Sequence, residues 1–165
     1  MTNPTDKEQY ISADRTRLAH LLSIPITAEL PSPFPQNTLT AQRALCTIQS
    51  QSPEKLAASF EALYKTFWLE GKAIGEMEVV VEALAGVLGG EEEARRVVEG
   101  TKGEGVKGLL SGNTRRAFEA GAFGVPFWVV QVGEGREEVF FGVDRVGMVV
   151  DALGLDRGEG LRALL

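Results

Sequence analysis

Few side chains in this sequence are equipped for chemistry. It has one cysteine, Cys46, and one histidine, His20. A thiol nucleophile needs a neighbouring base or cation, and a histidine-dependent triad needs a serine or cysteine to serve. Cys46 stands among Leu45 and Ile48 in a helical pattern and reads as a buried structural thiol. With no C-x-x-C, disulfide exchange by a paired thiol is excluded within these residues. His20 reads as an ordinary helix residue, Phe67-Trp68 as core or interface, and Glu91-Glu92-Glu93 as a solvated helix start rather than a metal site.

What remains is Gly124-Val125-Pro126 ahead of an apolar run, and Asp144 after it. Proline cannot donate to a sheet ladder, so directly before a strand it fixes a turn, and a cis bond is compatible with that turn. Two readings stand for the tripeptide. One is a strand-start proline with no ligand. In the other, Val125 keeps backbone N–H and C=O groups free to pair with an extended peptide. Asp144 likewise has two readings: a helix N-cap, or a carboxylate that accepts a ligand's ammonium group. Arg145 is equally a solvated first-turn residue or a ligand clamp.

The elements around these residues follow from pattern. The stretch from Gly121 to Asp151 reads as a helix end, a turn at Val125-Pro126, a strand FWVVQV over residues 127–132, a Gly133-Glu134-Gly135 turn, and a returning strand over 137–141. A helix opened by Asp144 then runs to Gly154. FWVVQV is too apolar for a half-exposed strand. Upstream the chain is helical. Residues 1–11 are polar and read as a loop or extended segment; residues 14–23 form a short helix burying Leu18, Leu21 and Leu22. Four prolines between residues 24 and 36 forbid a regular element there. Helices follow over residues 38–51 (capped by Asn37 or Thr38), from Pro53 with an apolar stripe at Leu56, Phe60, Leu63 and Phe67, over 76–88 closed by Gly89-Gly90, over 91–99, and over 103–120.

The chain has 165 residues, 44% hydrophobic and 24% charged, enough to bury a sizeable core. Seventeen basic against 23 acidic residues give a net charge of -6, which argues against nucleic acid as a partner. No apolar run approaches the roughly 18 residues that span a bilayer. The lone cysteine suits a reducing, intracellular compartment, and no signal separates cytoplasm, mitochondrion and peroxisome.

The run GAFGVP, FWVVQV and FFGVDRVGMVVDALG resembles the C-terminal part of the kappa-class glutathione transferases. Those enzymes are similar to the 2-hydroxychromene-2-carboxylate isomerases and share the DsbA-like thioredoxin fold. Upstream, Asn3-Pro4, Lys7-Glu8-Gln9-Tyr10, Ile24-Pro25-Ile26, the T-x-x-A-x-R-x-L of residues 38–45 and the LYKTFW of residues 63–68 fall in the same order. The resemblance implies glutathione as cosubstrate. Val125, before the proline Pro126, would pair its backbone with the cysteinyl part of the tripeptide, and Asp144 would hold the γ-glutamyl ammonium. Lys7 would face a glutathione carboxylate, and Asn3 would lie near the ligand. Val143 stands where the family commonly has serine, which removes a hydroxyl donor but keeps a backbone N–H.

The resemblance also implies a strand–helix–strand unit that carries a serine near the glutathione sulfur. Such a unit needs roughly 30 residues, more than precede the first helix here, so no catalytic residue is assigned in this chain. The expectation is an α/β, thioredoxin-like core, N-terminally incomplete, with a large all-helical insertion. Residues 1–12 would be a lead-in segment, 13–102 the helical insertion, and 103–165 the second half of the core. The expected function is glutathione conjugation to, or isomerisation of, a small apolar electrophile. The alternative is a catalytically inactive relative that acts as an interaction protein. In either case a homodimer or a partner chain is expected to cover the exposed edge of the strand at 127–132.

Overall fold

The computed structural model describes residues 5–27 and 29–158. The chain folds into two compact units, residues 1–110 and 111–165.

The first unit is helical. Helix α1 (Asp6–Leu21) contains most of the helix expected over residues 14–23 but starts earlier, in residues 6–11 for which the sequence pattern suggests a loop. It has no apolar stripe to betray it; its start is set instead by a capping box. Thr5 N donates to Glu8 Oε2 at 2.6 Å and Glu8 N to Thr5 Oγ1 at 3.3 Å, which satisfies two otherwise orphaned donors. That hydrogen bonding also holds the Glu8 carboxyl below its ordinary pKa. The burial expected of Leu18, Leu21 and Leu22 is not found. Ala19 is the buried residue of α1, and Leu21 is half exposed.

The body of the unit is built from α2 (Leu39–Gln51), α3 (Leu56–Tyr64), α4 (Met77–Leu88) and α5 (Glu91–Glu99). Thr38 is the N-cap residue of α2, yet the side chain that bonds the helix start is Asn37, whose Oδ1 accepts from Leu39 N at 3.1 Å. Pro53 opens a 3-10 turn (Pro53–Lys55) that runs into α3. Gly89 ends α4 in the left-handed conformation at φ 99°, which a Cβ would disfavour. The facing stripes give a dry core of Ala44, Ile48, Val80, Leu84, Ala94 and Val98. Buried hydroxyls in it are satisfied locally: Ser59 Oγ donates to Lys55 O at 2.8 Å and Thr101 Oγ1 to Val98 O at 2.6 Å. Cys46 is buried and in no disulfide, as its neighbours imply.

Helix α3 continues into a π-helical turn (Lys65–Leu69). Helix α6 (Glu104–Glu119) crosses the boundary between the two units. No helix among the described residues is long and apolar enough to cross a membrane.

The second unit contains the sheet. Strands β1 (Phe127–Val132) and β2 (Arg136–Phe141) pair antiparallel, from Phe127 opposite Phe141 to Val132 opposite Arg136. Gly133 at φ 60° and Gly135 at φ 80° make the tight connection. Helix α7 (Val146–Ala152) packs on β1, and Val130 and Val149 are buried. The expectation of a fully buried β1 is corrected: Val129 is 46% exposed, and its cross-strand partner Val139 is 55% exposed. One face of the hairpin is therefore open. The outer edge of β1 has no strand partner among the described residues.

The helical core sets the stability of its unit. Leu84→Ala removes a side chain with no solvent exposure, and the expected cost is about 2–5 kcal/mol. Urea denaturation followed by helical circular dichroism measures it; a loss under about 1 kcal/mol would show that the site collapses around the smaller side chain.

Candidate functional site

The candidate residues of the second unit gather at one end of the hairpin. The Val125-Pro126 peptide bond is cis. One residue outside the Phe127–Phe141 pair, Gly142 N donates to Pro126 O at 3.0 Å. This hydrogen bond extends the ladder past the strand ends and brings Val125-Pro126 alongside Val143-Asp144. Trp128 Nε1 donates to Gly142 O at 3.4 Å, so Gly142 is held through both its N–H and its C=O.

Val125 is 88% exposed, and its backbone N–H and C=O make no hydrogen bond among the described residues. A free N–H and C=O are what an extended peptide needs for strand-like pairing. Val143 and Asp144 lie in a 3-10 turn (Val143–Arg145) whose N-cap is Gly142. The expectation that Asp144 caps the last helix is corrected. It sits inside the turn with no side-chain capping bond, and Arg145 precedes α7 instead. The Asp144 carboxylate is about two-thirds exposed, with Arg145 Nη1 at 3.1 Å. A carboxylate freed from capping keeps its acceptor sites for an incoming cation, in exchange for an exposed ion pair worth little in water.

Two glycines make this geometry, and neither is among the site residues expected from sequence. Gly142 has φ 100° and ψ 154°, a region that only glycine adopts without strain. A Cβ there would also collide with Asp144 Oδ1. A Cβ on Gly124 would stand 2.8 Å from Phe141 Cε2. The signal is present in the sequence, because each glycine immediately precedes a candidate residue, in FGV and in FGVD. Three aromatic rings complete the surroundings: Phe123 lies with its centroid 4.6 Å from Phe141 and 6.1 Å from Phe127.

The other candidates lie elsewhere in the chain. Lys7 is exposed in the first turn of α1, in the first unit. Asn3 lies outside the described residues. His20 is exposed at the end of α1, Cys46 is buried in α2, and no metal-binding cluster occurs among the described residues. The assembled residues offer free backbone groups, a carboxylate and a small apolar surface.

A hairpin entered through a cis-proline and followed by a helix, joined to a helical body, is the architecture of a thioredoxin fold carrying a helical insertion. The chain belongs to the DSBA-like thioredoxin domain family, whose family model matches residues 1–154. Among curated proteins it is similar to glutathione S-transferase kappa 1 of Homo sapiens, at 29% identity over 153 residues, 90% of this chain and 66% of that protein. It is similar to the Caenorhabditis elegans protein of the same name at 29% over 146 residues, covering 85% and 62% respectively. The chain thus spans a little under two thirds of the length of these relatives. Among solved structures, the cytosolic disulfide reductase DsbM of Pseudomonas aeruginosa superposes with a TM-score of 0.66 at 21% identity, covering 93% of this chain and 77% of that one. A Nitrosomonas europaea protein described as a candidate disulfide isomerase gives 0.71 at 19%, covering 93% and 76%. Both structures establish the fold alone.

Gly142→Ala is expected to cost about 1–3 kcal/mol from its backbone conformation, whereas Asp144→Ala, an exposed position, stays within about 0.5 kcal/mol of the parent. Chemical denaturation of the two variants side by side checks the contrast; equal stabilities would mean that the turn does not depend on a glycine at 142.

Proposed function

We propose that this chain binds glutathione at the open end of the hairpin, as part of a kappa-like glutathione transferase or isomerase activity. The observation that carries the reading is the hydrogen bond from Gly142 N to Pro126 O, which sets the free backbone of Val125 beside the exposed carboxylate of Asp144. Glutathione is a short extended peptide with a free ammonium at one end. In this reading Val125 pairs with the main chain around its cysteine, and Asp144 takes the γ-glutamyl ammonium in place of Arg145. Val143 contributes through its backbone N–H, so the absence of a serine hydroxyl there weakens binding without abolishing it. The similarity to two kappa-class transferases supports glutathione as the peptide.

The chemistry would be attack of the glutathione thiolate on a small apolar electrophile, or its reversible addition to allow an isomerisation. That step needs a group to stabilise the thiolate as well as a site for the peptide, so binding and turnover are tested separately. Isothermal calorimetry is expected to show glutathione binding that Asp144→Ala weakens by about 1.5–3 kcal/mol, the range for a hydrogen bond to a charged group. Absence of heat at millimolar glutathione would overturn the binding reading. Binding without thiol consumption in the presence of an activated chloroarene would restrict the proposal to recognition.

A second reading has its own observation. Val129, Val139 and Phe141 leave one hairpin face exposed, and the outer edge of β1 is unpaired among the described residues. An apolar face beside a free strand edge suits a homodimer or a partner chain, the surface of an interaction protein.

A further inference from the structure

The helical unit contains an apolar pocket of about 210 Å³, separate from the residues assigned above. Its walls come from matched spacings. Thr38 and Ala41, three residues apart, place small side chains along α2 and its start. Phe60, Leu63 and Tyr64, at the spacing that shares a helix face, place large ones along α3. Trp68 completes the aromatic wall. Gln42 and Leu45 of α2 and Ile74 complete the lining, and the small Ala41 leaves room opposite the rings, while the adjoining core of Ala44, Val80 and Leu84 has no exposure at all.

A second observation concerns how Trp68 is held. It lies in the π-helical turn that follows α3, an irregularity that recurs at functional sites because it redirects side chains at the expense of regular hydrogen bonding. Here the turn is braced from outside. Thr27 donates to the Trp68 carbonyl twice, from N at 2.9 Å and from Oγ1 at 3.1 Å. The Arg15 guanidinium stands 5.8 Å from the centroid of the Trp68 ring, and Phe67 meets that ring edge-on at 4.7 Å. The ring is thereby fixed in advance of any occupant, while Phe60 at 39% and Tyr64 at 59% remain exposed at the opening.

We propose that this pocket is a binding site for an uncharged, flat aromatic molecule of one or two rings. Size, lining and rigidity agree on that class. Apolar cavities of roughly 150 Å³ are known to take benzene. No charged side chain lines the pocket, which disfavours an ionic ligand. The Thr38 hydroxyl and the Gln42 amide among the lining groups accommodate a single polar substituent. Trp68 and Tyr64 provide the offset or edge-to-face ring contacts that discriminate planar from branched apolar ligands. This proposal does not depend on glutathione binding, because every residue in it belongs to the helical unit.

The test is calorimetric titration of the full chain with 1-naphthol in the absence of glutathione. Saturable one-to-one binding is expected, with a shift of the Trp68 indole N–H resonance, distinguished from that of Trp128 by Trp128→Phe. Ala41→Phe, which fills the slot, and Thr38→Trp, which closes its mouth from a half-buried position, are each expected to weaken binding at least about tenfold. Should Ala41→Phe fail to fold, Thr38→Trp carries the test, its fold confirmed by circular dichroism. No saturable heat up to the solubility limit, unchanged affinity in the folded variants, or a naphthol-induced shift confined to Trp128 would overturn the proposal. So would light scattering that shows a dimer dissociated by naphthol, since the pocket would then be occupied by a second copy of the chain.

Discussion

The hydrogen bond between Gly142 N and Pro126 O is the interaction on which the candidate peptide site depends. It is made just beyond the last strand pair, where Pro126 has no N–H to offer and the ladder would otherwise end. By continuing the pairing for one step it holds the segment before β1 against the segment after β2. Val125 and Asp144 are far apart in sequence, and this bond carries the register of the β1–β2 ladder out towards them. Trp128 adds the second restraint by donating to the carbonyl of the same glycine. Backbone restraints therefore create the site, and the side chains displayed on it are nearly all exposed.

The helical unit obeys a different rule. Its stability comes from side-chain burial, with α2, α3, α4 and α5 contributing small and branched residues to a core that excludes water. Its exposed ion pairs, such as Arg95 with Glu78 at 2.8 Å, join neighbouring helices on the surface and add little energy in water. The aromatic slot lies at the margin of that core, where α3 loses its regular winding. A regular α-helix would carry Phe67 and Trp68 round at a fixed step of about 100°. The π-helical turn changes that step; Phe67 is buried there, and its ring meets the half-buried Trp68 ring edge-on.

Local rules made much of this legible in the sequence. The glycines after α4, the acidic start of α5, the Gly133-Glu134-Gly135 turn and the proline before β1 are local signals with local causes, and the elements fall where those signals lie. The thioredoxin-like fold followed from the motif order of GAFGVP and FFGVDR rather than from periodicity. What was not legible depends on partners distant in sequence or on competition between equals. Helix α1 has no apolar stripe, so only its capping box marks it. Asp144 looks like an N-cap because aspartate favours that position, yet Gly142 reaches a conformation closed to other residues and takes the cap first. The exposure of Val129 could not be read from an apolar run, because a run of that kind states a preference for burial and not which element provides it. The aromatic slot needed two helices side by side before the gap between them could exist.

The same contrast bears on how the candidate peptide site tolerates change. In the proposed reading, pairing with the Val125 N–H and C=O would be indifferent to the valine side chain, and a backbone N–H at Val143 remains whatever stands there. Asp144 is the one candidate in the hairpin site whose side-chain chemistry is needed, since no backbone group supplies a negative charge for an ammonium. The demanding positions are instead the glycines, which offer no functional group. Gly124 leaves room for the Phe141 ring, and Gly142 allows both a backbone conformation and the close approach of the Asp144 carboxylate. A substitution at Val125 or Val143 therefore alters the surface presented to a ligand while leaving the scaffold intact. A substitution at Gly142 alters the scaffold itself and moves the carboxylate with it.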